Sequence, residues 1–179
     1  MVRDIQNLAL IGLMGTGKSS VGRLVASQLQ FKFLDTDELI EARAGRSISE
    51  IFAGAGEQAF RAIEAQVVLE LDSVRRTVIS TGGGLGASEA NLSNLKRHSF
   101  VVCLWASTEV IWERVRAQAH RPLLQDPDPV AKIKQLLSAR ESSYKQADVL
   151  VNTEQRSVKD VAQQVLHQFH WAGRGASHP

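Results

Sequence analysis

The feature that most constrains this 179-residue chain is a glycine-rich segment near its N-terminus, Gly12-Leu13-Met14-Gly15-Thr16-Gly17-Lys18-Ser19. The apolar run Leu8–Leu13 leads into it and predicts a buried parallel strand. Lys18–Gln30 follows, with apolar residues at helical spacing. Strand, loop and helix in this order match the phosphate-binding pattern G-x-x-x-x-G-K-[ST]. A chance glycine-rich turn is the alternative, and the agreement of pattern with context favours a phosphate site.

The chemistry of a triphosphate explains the residue types in this segment. Glycines such as Gly15 and Gly17 adopt positive φ without a Cβ penalty, so backbone N–H groups approach the anion closely. The N-terminus of the following helix favours negative charge, Lys18 adds a cation for the β- and γ-phosphates, and Ser19 offers a hydroxyl to Mg²⁺. The residues predicted to bind the triphosphate here are Gly12, Gly15, Thr16, Gly17, Lys18, Ser19 and Ser20. The loop predicts a nucleoside triphosphate but no particular reaction.

Apolar runs typical of strands alternate with longer segments of helical period, which predicts the α/β class. The later strand candidates are Phe31–Leu34, Thr77–Ser80, Phe100–Trp105 and Val149–Val151. Ser47–Glu50 matches a capping box for a short helix that stops at Gly54 and Gly56, and Glu57–Arg75 predicts a long helix. A last helix is predicted over Ser157–His170. Residues 1–170 are therefore expected to form a single domain, with 171–179 as a flexible tail.

Composition and charge exclude several classes of protein. Hydrophobic residues make up 44% and charged residues 22% of the chain, as in soluble globular proteins. The 21 Lys and Arg against 19 Asp and Glu give a net charge of +2, which predicts no nucleic-acid partner. No apolar run reaches the ~18 residues of a membrane helix. The single cysteine, Cys103, forms no intrachain disulfide, so we expect a cytoplasmic protein, or an organellar one whose transit peptide has been removed.

Two carboxylates, Asp35 and Asp37, directly follow the second strand candidate. The carboxyl ends of parallel strands face the ligand crevice of open α/β sheets, and residues two apart in extended chain share a face. One carboxylate could hold Mg²⁺, and the other could accept a proton from an attacking hydroxyl. The alternative is that Asp37 only caps the helix that follows it.

Two arginines have both a functional and a structural interpretation. Arg61 and Glu64 lie three apart on the long helix, at the edge of its apolar stripe, as an ordinary surface pair would. Alternatively, Glu64 orients Arg61 to bind a substrate anion. Arg140 stands beside Glu141 and has the same ambiguity.

Two further segments suit a phosphoryl-transfer site. Gly82-Gly83-Gly84 follows a strand and permits a ligand to approach the backbone closely, although a flexible turn would look the same. A basic, proline-bounded segment at about 113–128 carries Arg114 and Arg121 and suits a mobile lid that places cations on the transferring phosphate. An ordinary solvated loop is the alternative for the second segment.

Together these residues resemble the shikimate kinase family. The matching segments are GLMGTGKSSVG at 12–22, FLDTDELIE at 33–41, AGRSISEIF at 44–52, GEQAFRAIE at 56–64, STGGG at 80–84, RPLL at 121–124 and the pair Arg140 and Tyr144. The resemblance covers roughly residues 7 to 166. The phosphate loop is shared by many kinases, whereas the D-x-D, F-R-x-x-E, G-G-G and R-P-L-L set in this order is far more specific.

The resemblance implies a three-layer α/β/α kinase fold with a five-stranded parallel sheet, a mobile lid and a substrate-binding helical region at about 36–64. It implies phosphorylation of the 3-hydroxyl of shikimate by ATP with Mg²⁺, in aromatic amino acid biosynthesis, by a monomer. Asp35 and Ser19 would bind the metal, with Lys18, Asp37 and Arg121 catalytic. Arg121 would also contact the ATP phosphates from the lid, and Arg114 would flank the adenine. Shikimate would be bound by Asp37, Arg61, Gly82, Gly83, Gly84 and Arg140, with Glu64 orienting Arg61.

Two departures from the family pattern concern the nucleotide side: His120 precedes the R-P-L-L segment, and residues 152–157 lack the expected proline. Two other functions remain open from the residues alone. The chain could phosphorylate another small polyol acid such as gluconate, or a nucleotide, or it could bind nucleotide without catalysis. A coupled assay over a panel of acceptors distinguishes these possibilities.

Overall fold

The computed structural model describes residues 5–117 and 126–175. Within these ranges the chain forms five strands and seven α-helices. The strands are β1 (Asn7–Ile11), β2 (Lys32–Asp35), β3 (Thr77–Ser80), β4 (Ser99–Trp105) and β5 (Val149–Asn152). The helices are α1 (Lys18–Leu29), α2 (Thr36–Ala44), α3 (Ile48–Glu70), α4 (Glu89–His98), α5 (Thr108–Val115), α6 (Pro129–Tyr144) and α7 (Val158–Gly175).

The five strands are all parallel and lie in the order β2-β3-β1-β4-β5. Alternate residues of the central strand β1 face opposite sides of the sheet. Leu8 and Leu10 pack in a cluster with α1 and α7, whereas Ala9 and Ile11 pack in another with α3 and α4. Both faces are therefore buried, as parallel sheets require, and the predicted three-layer α/β/α architecture is confirmed.

The first strand is shorter than predicted and ends at Ile11 rather than Leu13. Gly12 takes φ of 135° and turns the chain out of the sheet. Leu13 and Met14 remain buried, but they pack against α5 and α6. The apolar run is therefore divided between the sheet and the cluster of α5 and α6. Its hydrophobicity alone does not show where that division lies.

The long helical segment breaks where its glycines predicted. Ser47 and Glu50 form a complete capping box at the start of α3. Gly56, with φ of 77° and ψ of 176°, interrupts the helix with a kink. The part after the kink ends at Glu70 rather than Arg75 and continues as a 3₁₀ turn over Leu71–Ser73. The predicted helix is therefore too long by five residues.

The last helix is longer than predicted. It continues to Gly175, five residues beyond His170 and into the segment predicted to be a flexible tail. Ala172 packs against the cluster formed by β1, α1 and α7, so burial extends the helix. Among the described residues, no helix is long and apolar enough to cross a membrane.

A buried polar cluster ties the amino ends of the strands together, at the edge opposite the phosphate loop. The Asn7 amide donates to the Val74 carbonyl at 2.9 Å and lies 3.2 Å from His98 Nδ1, which Ser99 Oγ also approaches at 3.0 Å. The other ring nitrogen, Nε2, lies 3.4 Å from Asp72 Oδ1. Because an amide N–H points at Nδ1, this nitrogen is the acceptor and the neutral tautomer fits the cluster.

This cluster makes folding stability depend on pH. Burial lowers the pKa of His98 below 6.5, with Arg75 and Arg97 adding to the effect and Asp72 opposing it. The unfolded chain therefore binds more protons, and stability falls as pH drops through 6.5 toward the folded pKa. We expect thermal melts of H98Q to lose this dependence, whereas H167Q, at an exposed histidine, retains it. An unchanged pH profile in H98Q would contradict the assignment.

Candidate functional site

The phosphate loop connects β1 to α1 in the predicted conformation. Gly12, Gly15 and Gly17 all have positive φ, and α1 begins at Lys18. A Cβ on Gly12 would clash with the Leu104 carbonyl of β4, so both its backbone angle and its packing require glycine. The Thr16 hydroxyl and the Lys18 ammonium both donate to the Leu13 carbonyl, at 2.8 and 2.9 Å. Lys18 is 8% exposed, and its side chain lies against the phosphate loop.

A polar cavity of about 290 Å³ opens above this loop. Its lining brings together the loop, the acidic pair and a residue of the segment predicted to be a lid. The lining residues are Met14, Gly15, Gly17, Lys18, Ser19, Ser20, Asp35, Asp37, Thr81 and Arg114. Residues from four separate segments thus meet where the carboxyl ends of the strands leave the sheet.

The two aspartates of the acidic pair have different environments. Asp35 accepts a hydrogen bond from Ser19 Oγ at 2.9 Å through Oδ2 and one from the Asp37 N–H at 3.0 Å through Oδ1. Asp35 is therefore the N-cap of α2, so the alternative that Asp37 caps this helix is wrong. Asp37 lies in the first turn of α2, and its carboxylate approaches Gly82 closely enough that a Cβ there would clash.

The three consecutive glycines each lie against a different part of the site. Gly82 faces Asp37. A Cβ on Gly83 would lie 3.2 Å from the Met14 nitrogen, and a Cβ on Gly84 would lie 2.5 Å from Arg61 Nη1. The segment therefore joins the acidic pair, the phosphate loop and the arginine of α3. Close approach of these neighbours explains the glycines better than a need for a flexible turn.

Arg61 and Glu64 do not form an ordinary surface pair, because Glu64 is only 1% exposed. Arg61 Nη1 donates to Glu64 Oε2 at 2.9 Å, and Nη2 donates to Glu57 Oε1 at 3.1 Å. Burial raises the pKa of Glu64, against the opposing effect of Arg61 and Arg140. Burial lowers the pKa of Arg61, but its two carboxylate partners outweigh that effect and leave it raised. The guanidinium stays charged and has a fixed orientation.

Arg140 reaches the same glycine segment from α6. Its Nη1 donates to the Gly83 carbonyl at 2.7 Å, and the Tyr144 hydroxyl donates to the same oxygen at 3.0 Å. Arg140 is therefore not simply a member of a charged helix face. Burial raises the pKa of Tyr144 to about 12, so its hydroxyl remains a hydrogen-bond donor at neutral pH.

Arg114 links the phosphate loop to the segment after β5. Its guanidinium donates to the Gly15 carbonyl at 3.2 Å and to the hydroxyl and carbonyl of Thr153 at 2.9 and 2.7 Å. A slot of about 240 Å³ lies beside it, lined also by Thr153, Arg156, Val158 and Val161. The arginine lies on α5, whose last turn forms the first part of the segment predicted to be a lid. Arg121 and the R-P-L-L motif lie outside the described residues.

Sequence reasoning assigned no role to two buried polar residues of the site, Thr36 and Thr153. The Thr36 hydroxyl accepts the Gly82 N–H at 2.8 Å and so connects the acidic segment to the glycines. Thr153 directly follows β5 and binds Arg114. Both residues stand where a strand ends at its carboxyl edge. The rule that singled out Asp35 and Asp37 could also have indicated them.

The contact between Gly82 and Asp37 leads to a test of this geometry. We expect G82A to remain folded, because only the end of one side chain must move, but to displace the carboxylate of Asp37, which the resemblance assigns to the substrate hydroxyls, and so to lower turnover about 100-fold. G54A is the matched control, since a Cβ there lies 3.6 Å from Arg46 Nη1 in ordinary contact. Thermal melts and steady-state kinetics measure both variants. Wild-type turnover in G82A would contradict the proposed importance of this contact.

Comparison with known proteins gives a consistent result. A sequence profile described as shikimate kinase matches residues 14–170. The shikimate kinase of Thermodesulfovibrio yellowstonii is 42% identical over 171 residues, covering 96% of this chain and 99% of that protein. The shikimate kinase of Symbiobacterium thermophilum is 42% identical over 170 residues, covering 93% and 98% of the two chains.

Solved structures show the same relationship. Shikimate kinase from Acinetobacter baumannii, in complex with shikimate, superposes with a TM-score of 0.89 at 37% identity, covering 93% of this chain and 94% of that one. A gluconokinase from Sinorhizobium meliloti superposes with a TM-score of 0.66 at 18% identity, covering 98% and 99% of the two chains, and shares the fold alone. The family model and both relatives cover most of this chain, and the Acinetobacter structure shares its fold, so the chain belongs to the shikimate kinase family.

Proposed function

We propose that this kinase transfers the γ-phosphate of ATP to the 3-hydroxyl of shikimate, giving shikimate 3-phosphate and ADP in aromatic amino acid biosynthesis. The observation that carries the proposal is the position of Gly82–Gly84. These glycines lie against a carboxylate suited to hydroxyl groups, the phosphate loop, and a guanidinium suited to a carboxylate. A small acid carrying hydroxyls would span these three features, with one hydroxyl directed toward the bound triphosphate.

The phosphate loop would hold the triphosphate through its backbone N–H groups and the start of α1. Lys18 would neutralise charge on the β- and γ-phosphates inside a mostly buried site, where electrostatic interactions are stronger than in water. Arg121, in the predicted lid, would add a second cation on the phosphates. Phosphoryl transfer depends mainly on positioning and charge stabilisation, so these groups would supply most of the rate.

The residues around Ser19 suit Mg²⁺. The Ser19 hydroxyl and an Asp35 carboxylate oxygen are 2.9 Å apart, and Ser80 Oγ lies 3.3 Å from Ser19 Oγ. Hydroxyl and carboxylate oxygens are the hard ligands that Mg²⁺ prefers, usually as one or two carboxylates together with phosphates and water. Ser19 and Asp35 would hold the ion. When bound, it supplies charge neutralisation to the triphosphate.

Asp37 would bind the hydroxyls of shikimate and accept the proton of the 3-hydroxyl. Its position in the first turn of α2, next to Gly82, leaves it facing the cavity above the phosphate loop. If the transition state is loose, the proton leaves the hydroxyl late and a strong base is unnecessary. Binding and orientation of the hydroxyl are then the larger part of the contribution of Asp37.

Arg61 and Arg140, which lie against neighbouring glycines of this segment, would bind the shikimate carboxylate. A guanidinium presents a planar fork that matches a carboxylate with two hydrogen bonds, which a lysine does not. Glu64 holds Arg61 in place through its buried carboxylate. Glu64 is therefore a positioning residue, whereas the two arginines would contact the substrate.

The slot beside Arg114 would hold the adenine. Arg114 is fixed by the Thr153 carbonyl and hydroxyl, and its planar guanidinium can stack on a base. Val158, at the start of α7, is 45% exposed and lines the same slot. It would supply the apolar surface that the missing proline would otherwise provide.

We further propose that the enzyme acts as a monomer in the cytoplasm. The described residues assigned to the site lie around one cavity and one glycine segment, which supports a site formed within a single subunit. The thiol of Cys103 is buried in β4, and burial raises its pKa to about 12, so it is unreactive. Light scattering on the purified protein, over a range of concentrations, tests the oligomeric state.

The function is tested by coupling ADP release to NADH oxidation with Mg-ATP and shikimate. Phosphorus NMR of the product identifies the hydroxyl that is phosphorylated. We expect turnover with shikimate and a loss of about 100-fold in kcat/KM with its methyl ester, which lacks the charge for Arg61 and Arg140. No shikimate-dependent ADP release would overturn the proposal. Faster turnover of gluconate would transfer the assignment to another acid.

A further inference from the structure

A cavity of about 470 Å³ lies outside the site described above, between α5, α6 and the sheet edge formed by β5. Its apolar lining residues are Trp105 at the end of β4, Leu137 of α6 and Leu150 of β5. Trp105 is 39% exposed and Leu150 45% exposed, which is unusual for large apolar side chains that lie together around one depression. Its volume is within the range of cavities that bind small molecules.

Two opposite charges line this cavity at exposed positions and have no protein partner among the described residues. Glu109, in the first turn of α5, and Lys134, in the middle of α6, are both in its lining. Within the described residues, the side chain of neither makes a hydrogen bond or an ion pair. The other two charged residues of the lining, Glu141 and Lys145, pair with each other at 2.6 Å. One cation and one anion are thus available to a ligand.

We propose that this cavity binds a small zwitterion with an apolar side chain, of the α-amino acid class. The ammonium and carboxylate groups of such a molecule are attached to the same carbon atom, so they can pair with Glu109 and Lys134 together. Its side chain covers the apolar surface of Trp105, Leu137 and Leu150. An apolar acid or an apolar amine satisfies one of the two charges and leaves the other unpaired.

Tyr144 connects this cavity to the glycine segment. It is 4% exposed and belongs to the lining of the cavity, and its hydroxyl donates to the Gly83 carbonyl beside Arg140. A ligand packed against Tyr144 stabilises the arrangement in which Arg140 bonds Gly83, so Arg140 is less available to a substrate carboxylate. The ligand therefore raises the KM for shikimate by about fivefold. This second consequence rests on the proposed function, whereas binding to the cavity does not.

Binding is tested by calorimetry on the full chain with L-phenylalanine, L-leucine and L-tryptophan. For ligands of this size we expect a Kd on the order of 0.1–1 mM for at least one of them. Phenethylamine and 3-phenylpropionate, each lacking one charge, are expected to bind at least about tenfold more weakly, and so is L-alanine. No binding of the three amino acids at about 10 mM would overturn the proposal, as would equal binding of either singly charged analogue.

Variants locate the site and separate it from catalysis. E109Q and K134Q are each expected to weaken binding about fivefold and to leave shikimate kinetics without ligand unchanged. K132Q, on the same helix but outside the lining, is the matched control. Equal affinity in all three would overturn the placement. Failure of the kinase assay would leave these binding measurements intact, so the two proposals fail separately.

The connection through Tyr144 has its own test. Saturating shikimate is expected to raise the Kd of the amino acid by the same factor by which the amino acid raises the shikimate Kd. Y144F keeps the ring and removes the bond to Gly83, so it retains binding and loses this mutual effect. Binding without any change in shikimate affinity would overturn the connection.

Discussion

K18M is expected to lower kcat/KM for ATP by about 1,000-fold, which corresponds to ~4 kcal/mol of transition-state stabilisation. The ammonium of Lys18 lies in a largely buried site at the phosphate loop, where water cannot replace its charge. Methionine has a similar length and no charge. Steady-state kinetics with varied ATP and saturating shikimate measure the effect.

The fold should survive this substitution. Lys18 donates to the Leu13 carbonyl, but Thr16 donates to the same oxygen at 2.8 Å and remains in place. Thermal stability should therefore fall by no more than about 1 kcal/mol. K159M, at an exposed position of α7, is the control for loss of a lysine. A folded K18M with near wild-type turnover would contradict the assigned role of Lys18.

R61A is expected to lower kcat/KM for shikimate by about 300-fold and to leave ATP binding unchanged. The truncated side chain removes a fixed guanidinium from beside Gly84. It also leaves Glu64, which is 1% exposed, without its ion-pair partner, so we expect a loss of stability of about 2 kcal/mol. Steady-state kinetics measure kcat/KM for shikimate, calorimetry measures ATP binding, and thermal melts measure the loss of stability.

A double variant separates these two effects. R61A/E64Q replaces the stranded carboxylate by a neutral amide, so it should recover most of the lost stability while shikimate turnover stays low. R43A is the control for loss of an arginine paired with α3, because Arg43 pairs with Glu70 at an exposed position, where such pairs contribute ~0–1 kcal/mol. Equal loss of ATP and shikimate binding in R61A would contradict a carboxylate-binding role.

Much of the fold could be predicted from local sequence patterns. The alternation of apolar runs with amphipathic segments predicted a parallel α/β sheet, and the capping box of Ser47 and Glu50 formed as expected. Errors occurred at element ends. Leu13 and Ala172 were assigned by local pattern, but their positions depend on which distant cluster buries them.

Some parts of the candidate site could likewise be predicted from local sequence, and others could not. The phosphate loop was readable from sequence because its function requires a particular backbone conformation, and glycine spacing encodes that conformation locally. The environments of Asp35 and Asp37 were not readable, since both follow the same strand. Only the structure shows that Asp35 caps α2 and binds Ser19, whereas Asp37 lies against Gly82.

By itself, the sequence determined the fold class, the triphosphate loop and, through its motifs, the family. These depend on residue types at short, fixed spacings. The tertiary structure decided which long-range neighbours each charged residue has. Arg61 and Glu64 are three residues apart in either interpretation, and only the packing of α3 shows Glu64 buried. Arg140 and Tyr144 both bind the Gly83 carbonyl, although they lie about sixty positions from it in the sequence. No local sequence pattern predicts such a contact.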